Sequence, residues 1–416
     1  MLRARIRAAI SGGDLDLKPL LRRAIWPLAI KALPALYGAG LVLFVIRILP
    51  AEEFGKYGIA FAYINLCAVF PRGLWIIPMI ALNARGESAE ITGSTLWMSL
   101  ATAAVGALGA IAVLPLLGVT GHTPLLAAAA IMLLTPREVG FGLAQARGNY
   151  ETAFVIDSIY FIGSLMLFGL LWFLPEWRTA DWAITLNVMS LIASVAYGTF
   201  VFPHMWRTFV VRSWRTIFEQ GRWVGILGLG EVYMQQGDVL VLSAFVTPAE
   251  IAPYVAARTL LRMYAIISQS VSLVVLPVSS RLSATMELAK LRHRMIAVFS
   301  TMLKLLVPIN VMAWLLAGSV LPILLGAKYR SAIPFFNILL IATFLEPFYS
   351  VLGNALVGIR KAERVVGPLL ICVALSIVCN IALVQFIGIM AAPIVVVASY
   401  LLLAVFIGAR ANLEIR

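Results

Sequence analysis

The residues able to do chemistry in this chain are ionisable and carboxamide side chains set inside long apolar runs. Asn65 and Arg72 are seven apart, two helical turns, so they share one face; Arg258, Arg262 and Gln269 are spaced four and seven and share another. Lys31, beside Pro34, adds a further cation. Pro71 and Gly73 flank Arg72, and such helix-breaking residues in an apolar helix free backbone groups to meet water or a ligand. Glu231, Gln235 and Asp238 form a stripe with spacing four and three. A guanidinium presents a planar fork of donors matched to phosphate or carboxylate oxygens. Arg72, Arg258 and Arg262, supported by Lys31, Asn65 and Gln269, are therefore candidate ligands of an anion, and Glu231, Gln235 and Asp238 are candidates for gating or ion coupling. Each arginine could instead satisfy an internal acid, Asp238 with Arg258 or Arg262 above all, while Arg72 and Lys31 have no obvious mates.

The elements that must position these groups are membrane spans. Of 416 residues 62% are apolar and 12% charged, against roughly 45–50% and about 25% in an ordinary soluble domain. A water-soluble globular fold is excluded. A spanning helix needs about 20 apolar residues, and suitable stretches run over Ala24–Leu49, Tyr57–Leu82, Leu96–Leu117, Thr123–Gln145, Ala153–Phe173 and Trp182–Phe202. The second half adds Trp223–Phe245, Ala252–Val278, Ala297–Leu325, Ile333–Val357, Val366–Phe386 and Ile389–Ala409.

Twelve spans place both termini on one side. Assigning that side to the cytoplasm puts 21 Lys and Arg inside and leaves five outside, Arg47, Lys56, Arg178, Lys328 and Arg330, as the positive-inside rule requires. That asymmetry absorbs most of the +13 net charge, and no nucleic-acid partner is needed. Residues 1–23 read as a basic segment on the anionic inner leaflet, and 203–222 as an amphipathic cytoplasmic linker between halves 24–202 and 223–416.

The halves carry a weak repeat: 197 residues beyond Glu53-Phe54-Gly55-Lys56-Tyr57 stands Glu250-Ile251-Ala252-Pro253-Tyr254. The same offset carries Asn65 onto Arg262 and Arg72 onto Gln269. Six spans separate the copies, so both halves have one orientation, as in transporters built from parallel repeats. The expected fold is an all-α polytopic membrane protein of about 12 transmembrane helices, in two six-helix bundles related by a pseudo-two-fold along the membrane normal. Glu346 beside Pro347, and Arg137 with Glu138 after Pro136, read as polar contacts between the bundles.

Arg47-Ile-Leu-Pro-Ala-Glu-Glu-Phe-Gly-Lys-Tyr-Gly58, Asp238 with Tyr254-Val-Ala-Ala-Arg258, and Gly326-Ala-Lys-Tyr329 make the sequence resemble, over nearly its whole length, the polysaccharide transporter (O-antigen flippase) family. That family belongs to the multidrug/oligosaccharidyl-lipid/polysaccharide (MOP) exporter superfamily. The resemblance implies alternating access and export of polyprenyl-diphosphate-linked oligosaccharide across a bacterial inner membrane, with a polysaccharide polymerase or glycosyltransferase and the membrane lipids as partners. The alternative is a cation-coupled multidrug antiporter of the same superfamily, which wants an acidic or aromatic cavity around Glu231 and Asp238.

Other chemistry finds little support. Asp14-Leu-Asp16 mimics a metal-holding acid pair but sits in a short basic tail, His122, His204 and His293 fall in different loops, and Cys67, Cys372 and Cys379 lie in apolar runs without a ligand set. No phosphate-binding Gly-Lys-Ser/Thr loop and no nucleophile with its base is present, so neither enzyme nor cofactor is expected.

Overall fold

The computed structural model describes residues 26, 29–30, 32–34, 36–38, 40–83, 89–206, 211–261, 288–358, 361 and 363–414. Lys31, Arg262, Gln269 and the segment 1–23 lie outside the described residues. The described chain forms twelve helical segments in succession and no strand. The first, α1, ends in a π-helical turn at Val42–Ile46. It is followed by α2 (Ala51–Asn83), α3 (Ala89–Leu116), α4 (Thr123–Ala146), α5 (Tyr150–Phe173) and α6 (Ala180–Val201). The second half contributes α7 (211–242), α8 (248–261), α9 (Leu288–Leu325), α10 (Ala332–Gly358), α11 (Glu363–Ile387) and α12 (Ala391–Glu414). Their apolar side chains face lipid as well as core: Phe200 on α6 and Phe386 on α11 are both more than 80% exposed.

The linker expected at 203–222 divides. Pro203–Trp206 is a short 3-10 turn, and from Val211 the chain is already α7. The reason is packing. Gly221 and Gly225 let α7 lie directly on α2: a Cβ on Gly221 would strike the Leu74 carbonyl oxygen, and one on Gly73 would stand 2.7 Å from the Gly225 Cα. Small residues at such a crossing let two membrane helices approach backbone to backbone. α9 likewise starts earlier than its apolar run, and 38 residues at about 1.5 Å each outreach a hydrocarbon core of about 30 Å.

α2 and α8 begin at repeat-related acids. Thr247 caps α8, its N–H and hydroxyl each donating to Glu250 Oε2 at 2.8 Å, and these two bonds hold the Glu250 carboxyl below the usual carboxylate range. Glu53 accepts from the Ala180 N–H at 2.7 Å, tying the start of α6 to α2.

The two halves seal against each other on the face that carries the α1–α2 loop. Lys328, between α9 and α10, donates from Nζ to the carbonyl of Arg47, which caps the C-terminus of α1, at 3.2 Å and to that of Leu49 in the turn that follows. Tyr329 meets Phe54 edge-on at 5.9 Å. Gly55 lies so close to Pro248 that a Cβ would collide with its carbonyl oxygen.

Candidate functional site

Below that seal, α1, α2, α4, α5, α6 and α7, with Thr259 of α8, line a cavity of about 380 Å³, within the ~300–1,000 Å³ usual for small-molecule sites. Two π-helical turns shape its wall. In α2 Pro71 has no N–H to give, and the following turn, Arg72–Ile76, closes with the Ile77 N–H on the Arg72 carbonyl, one residue wider than an α-turn. In α7 a second π-turn, Tyr233–Gly237, carries Gln235 and Gln236 to the same cavity. Such turns recur at functional sites because they re-aim side chains out of helical register.

Arg72 stands in this wall with its side chain 48% exposed. Its Nε is 3.5 Å from Glu138 Oε2, and no second carboxylate among the described residues pairs with it. Glu138 is shared: its Oε1 accepts from Arg137, whose other terminal nitrogen donates to Asp157. The Arg137 guanidinium lies 4.6 Å above the Tyr160 ring and 5.4 Å from Phe161. Arg137 and Glu138 are therefore not a contact between bundles, as expected from sequence, but part of a charge chain inside the first bundle, because Asp157 on the neighbouring α5 supplies the second carboxylate. Asn65 makes the contact between halves instead, donating to the Phe61 carbonyl at 2.8 Å and to Gln236 Oε1 at 3.3 Å.

Arg72 also borders a second cavity of about 340 Å³ on the other side, between α2, α7, α10 and α11, shared with Glu231, Gln235 and Ser350. Glu231 is exposed there and accepts from the Tyr349 hydroxyl at 2.8 Å.

Arg258 differs from its expected place. It is turned into the second bundle, 8% exposed, with Nε and a terminal nitrogen 3.1 and 2.8 Å from Asp238 Oδ2 and a further bond to the Met234 carbonyl at 3.1 Å. The Tyr254 hydroxyl donates to the same Asp238 oxygen. A buried carboxylate left without a partner is strongly destabilising, and Arg258, one turn beyond Tyr254, is the cation within reach. Glu231, Gln235 and Asp238 do not share a face, since the π-turn between Glu231 and Asp238 widens the helix and rotates Asp238 away. Glu346 also stays within the second bundle, beside Arg258, Thr343 and Tyr400. Among the described residues the surplus of free cations expected for the cavity is not found: Arg72, expected to lack a mate, pairs with Glu138, and Arg72 and Arg137 are balanced by Glu138 and Asp157. What distinguishes Arg72 is its exposure to the cavity, and no cluster among these residues could hold a metal ion.

Sequence reasoning missed Asp157, and with it Tyr37, Tyr160 and Asn187, which complete the cavity wall. The signal was present: Asp157 is a lone acid in an apolar run that holds no basic residue, and a lone acid at bilayer depth calls for a partner on another helix.

The fold has close counterparts. A multidrug resistance MATE family transporter of the MOP superfamily in an inward-facing conformation superposes with a TM-score of 0.75 at 13% identity, over 92% of this chain and 94% of that one. The lipid II flippase MurJ in an inward closed conformation gives 0.74 at 14% identity, over 94% and 87%. An uncharacterized membrane protein of Methanocaldococcus jannaschii is 26% identical over 233 residues, 54% of this chain and 46% of that relative's length. The family described as polysaccharide biosynthesis protein matches residues 44–334, from the end of α1 to the start of α10. On a MOP-superfamily fold of two helical bundles, the chain belongs to the polysaccharide biosynthesis protein family.

Proposed function

We propose that the protein is a flippase that carries polyprenyl-diphosphate-linked oligosaccharide from the cytoplasmic to the outer leaflet of a bacterial inner membrane by alternating access. The bundle 24–202 and the bundle that begins with α7 at Val211 are the moving parts, and both termini are cytoplasmic. The observation that carries the reading is Arg72, a half-exposed guanidinium at the meeting point of two cavities, its fork open to an oxyanion while Glu138 steadies its Nε. A diphosphate bridges two terminal nitrogens of such a fork in a way a neutral or cationic ligand cannot. Lys31, Arg262 and Gln269 are assigned supporting contacts to the same headgroup. Arg258, being committed to Asp238, is assigned to holding α7 on α8 rather than to the ligand.

Energetics favour the direction. Moving about two negative charges outward across ~100 mV, negative inside, releases ~4–5 kcal/mol at about 2.3 kcal/mol per charge, so no nucleotide is needed. The seal of Lys328, Tyr329 and Gly55 lies on the face assigned to the outside, which fits an inward-facing resting state. Glu231 is the acid best disposed for ion coupling, since its carboxylate borders a cavity and Tyr349 is its described partner.

The antiporter alternative needs Asp238 as a free acid, and its engagement by Arg258 and Tyr254 counts against it. In cells lacking the native gene, Arg72→Ala at wild-type protein level loses surface polysaccharide; drug resistance that rises with expression and is lost in Asp238→Asn would favour the antiporter.

A further inference from the structure

We infer that the uncharged reach of the 380 Å³ cavity, beyond Arg72, is a seat for a neutral sugar ring, the part of the ligand next to its phosphates. The inference rests on the proposed lipid-linked oligosaccharide and adds which chemistry its first sugars must have.

Along α2, Asn65 lies seven and Phe61 eleven residues from Arg72, about 10 and 16 Å at about 1.5 Å per residue. An anion held at Arg72 therefore places the attached ring beside Asn65 and Phe61. The groups waiting there are carboxamides and aromatic rings. Asn65, Asn187, Gln235 and Gln236 all line the cavity, and each carboxamide both donates and accepts, as each sugar hydroxyl does. Phe61 and Phe161 are partly buried cavity residues whose apolar faces suit the C–H face of a pyranose.

These groups are held before any ligand arrives. Asn187 donates to the Tyr37 hydroxyl at 2.8 Å and accepts from Tyr160 at 3.4 Å. Asn65 is fixed by the Phe61 carbonyl, and Tyr57 stacks on Phe61 at 5.7 Å and 15°. Side chains ordered in advance cost less to order on binding. Gln235, by contrast, makes no hydrogen bond to another described residue.

Charge narrows the class further. Arg137 borders this reach, but Glu138 and Asp157 both hold it, so among the described residues no uncompensated charge is left there. Among the described residues a cationic drug would lack a carboxylate, and an acidic sugar would lack a second cation once phosphate has taken Arg72, with Lys31 and Arg262 assigned to that same phosphate. A neutral hydroxyl-bearing ring leaves neither demand unmet.

The test uses the full chain in lipid nanodiscs and three probes: farnesyl diphosphate, the same diphosphate bearing N-acetylglucosamine, and the same bearing glucuronic acid. The neutral sugar is expected to tighten binding about tenfold over the sugarless probe, a gain of one or two hydrogen bonds, and more than the acidic one does. Asn187→Ala removes that gain and leaves farnesyl diphosphate binding as it was. Should Asn187→Ala melt early, Gln235→Ala, which breaks no described bond, must reduce the gain instead. Arg72→Ala weakens all three probes. Arg72-dependent binding in which the neutral sugar adds nothing, or glucuronate binds tighter, overturns the sugar seat alone. Binding of farnesyl diphosphate that ignores Arg72→Ala, or no binding at all, overturns the proposed headgroup site and the seat with it.

Discussion

Arg72 Nε and Glu138 Oε2 stand 3.5 Å apart across the wall of the cavity, with the arginine half exposed and the glutamate nearly buried. Glu138 is thus both the ballast of Arg72 and a partner of Arg137, and the two roles separate by substitution. Glu138→Gln keeps an oxygen for Arg137 but removes the charge beside Arg72, so farnesyl diphosphate should bind several-fold tighter with little loss of thermal stability. Glu138→Ala leaves Arg137 with Asp157 alone and strips one of its hydrogen-bond acceptors, and stability should fall by ~1–3 kcal/mol, the cost of a buried donor left unsatisfied. Isothermal titration and thermal unfolding of the two variants check this.

The Asp238–Arg258 pair is a structural clasp and behaves as one in a double-mutant cycle. Asp238→Ala and Arg258→Ala each expose an uncompensated buried charge and should lower stability by ~3–5 kcal/mol. Removing both together should cost less than the two single losses added, by a coupling energy of up to ~3 kcal/mol, the upper end for contacting residues. Additive losses would mean that the pair does not act as a unit.

The seal on the α1–α2 face depends on Lys328 reaching the carbonyls at the end of α1 and in the turn that follows. A cation at a helix C-terminus is worth about 0.3–1 kcal/mol, and Lys328→Met forfeits it. In a background lacking Cys67, Cys372 and Cys379, a cysteine at Asn65 should then label faster with an impermeant thiol reagent added from that face. Gly55→Ala, whose new methyl meets the Pro248 carbonyl, should raise labelling further.

The crossing of α7 on α2 admits no side chain at Gly221. Gly221→Val should reduce folded yield in membranes, read as the fraction that survives detergent extraction as a single species, whereas Gly318→Ala, with open space around its Cβ position, should not.

Much of this architecture was legible in residue order. Apolar run length placed the spans, and the isolation of Asp238 among apolar residues, with Arg258 at similar depth, pointed to their pairing. Pro71 beside Arg72 foretold a break in α2, seen as the π-turn at Arg72–Ile76. What could not be read were the faces beyond each π-turn. Regular helical spacing puts Glu231 and Asp238 together, but the extra residue at Tyr233–Gly237 sends one to a cavity and the other into the second bundle. Nor does spacing within one helix reveal partners on another, so Asp157 behind Arg137 and Lys328 over Leu49 appeared only when the helices were assembled.

Arg72, as the grip on an anionic lipid headgroup, is the residue on which transport depends. The most direct measurement is the leaflet distribution of lipid-linked oligosaccharide in cells depleted of the native protein and supplied with wild type, Arg72→Lys or Arg72→Ala at equal levels. Accumulation on the cytoplasmic leaflet with Arg72→Ala, and partial relief with Arg72→Lys, which keeps the charge but not the fork, is the predicted result. Wild-type distribution with Arg72→Ala would contradict it.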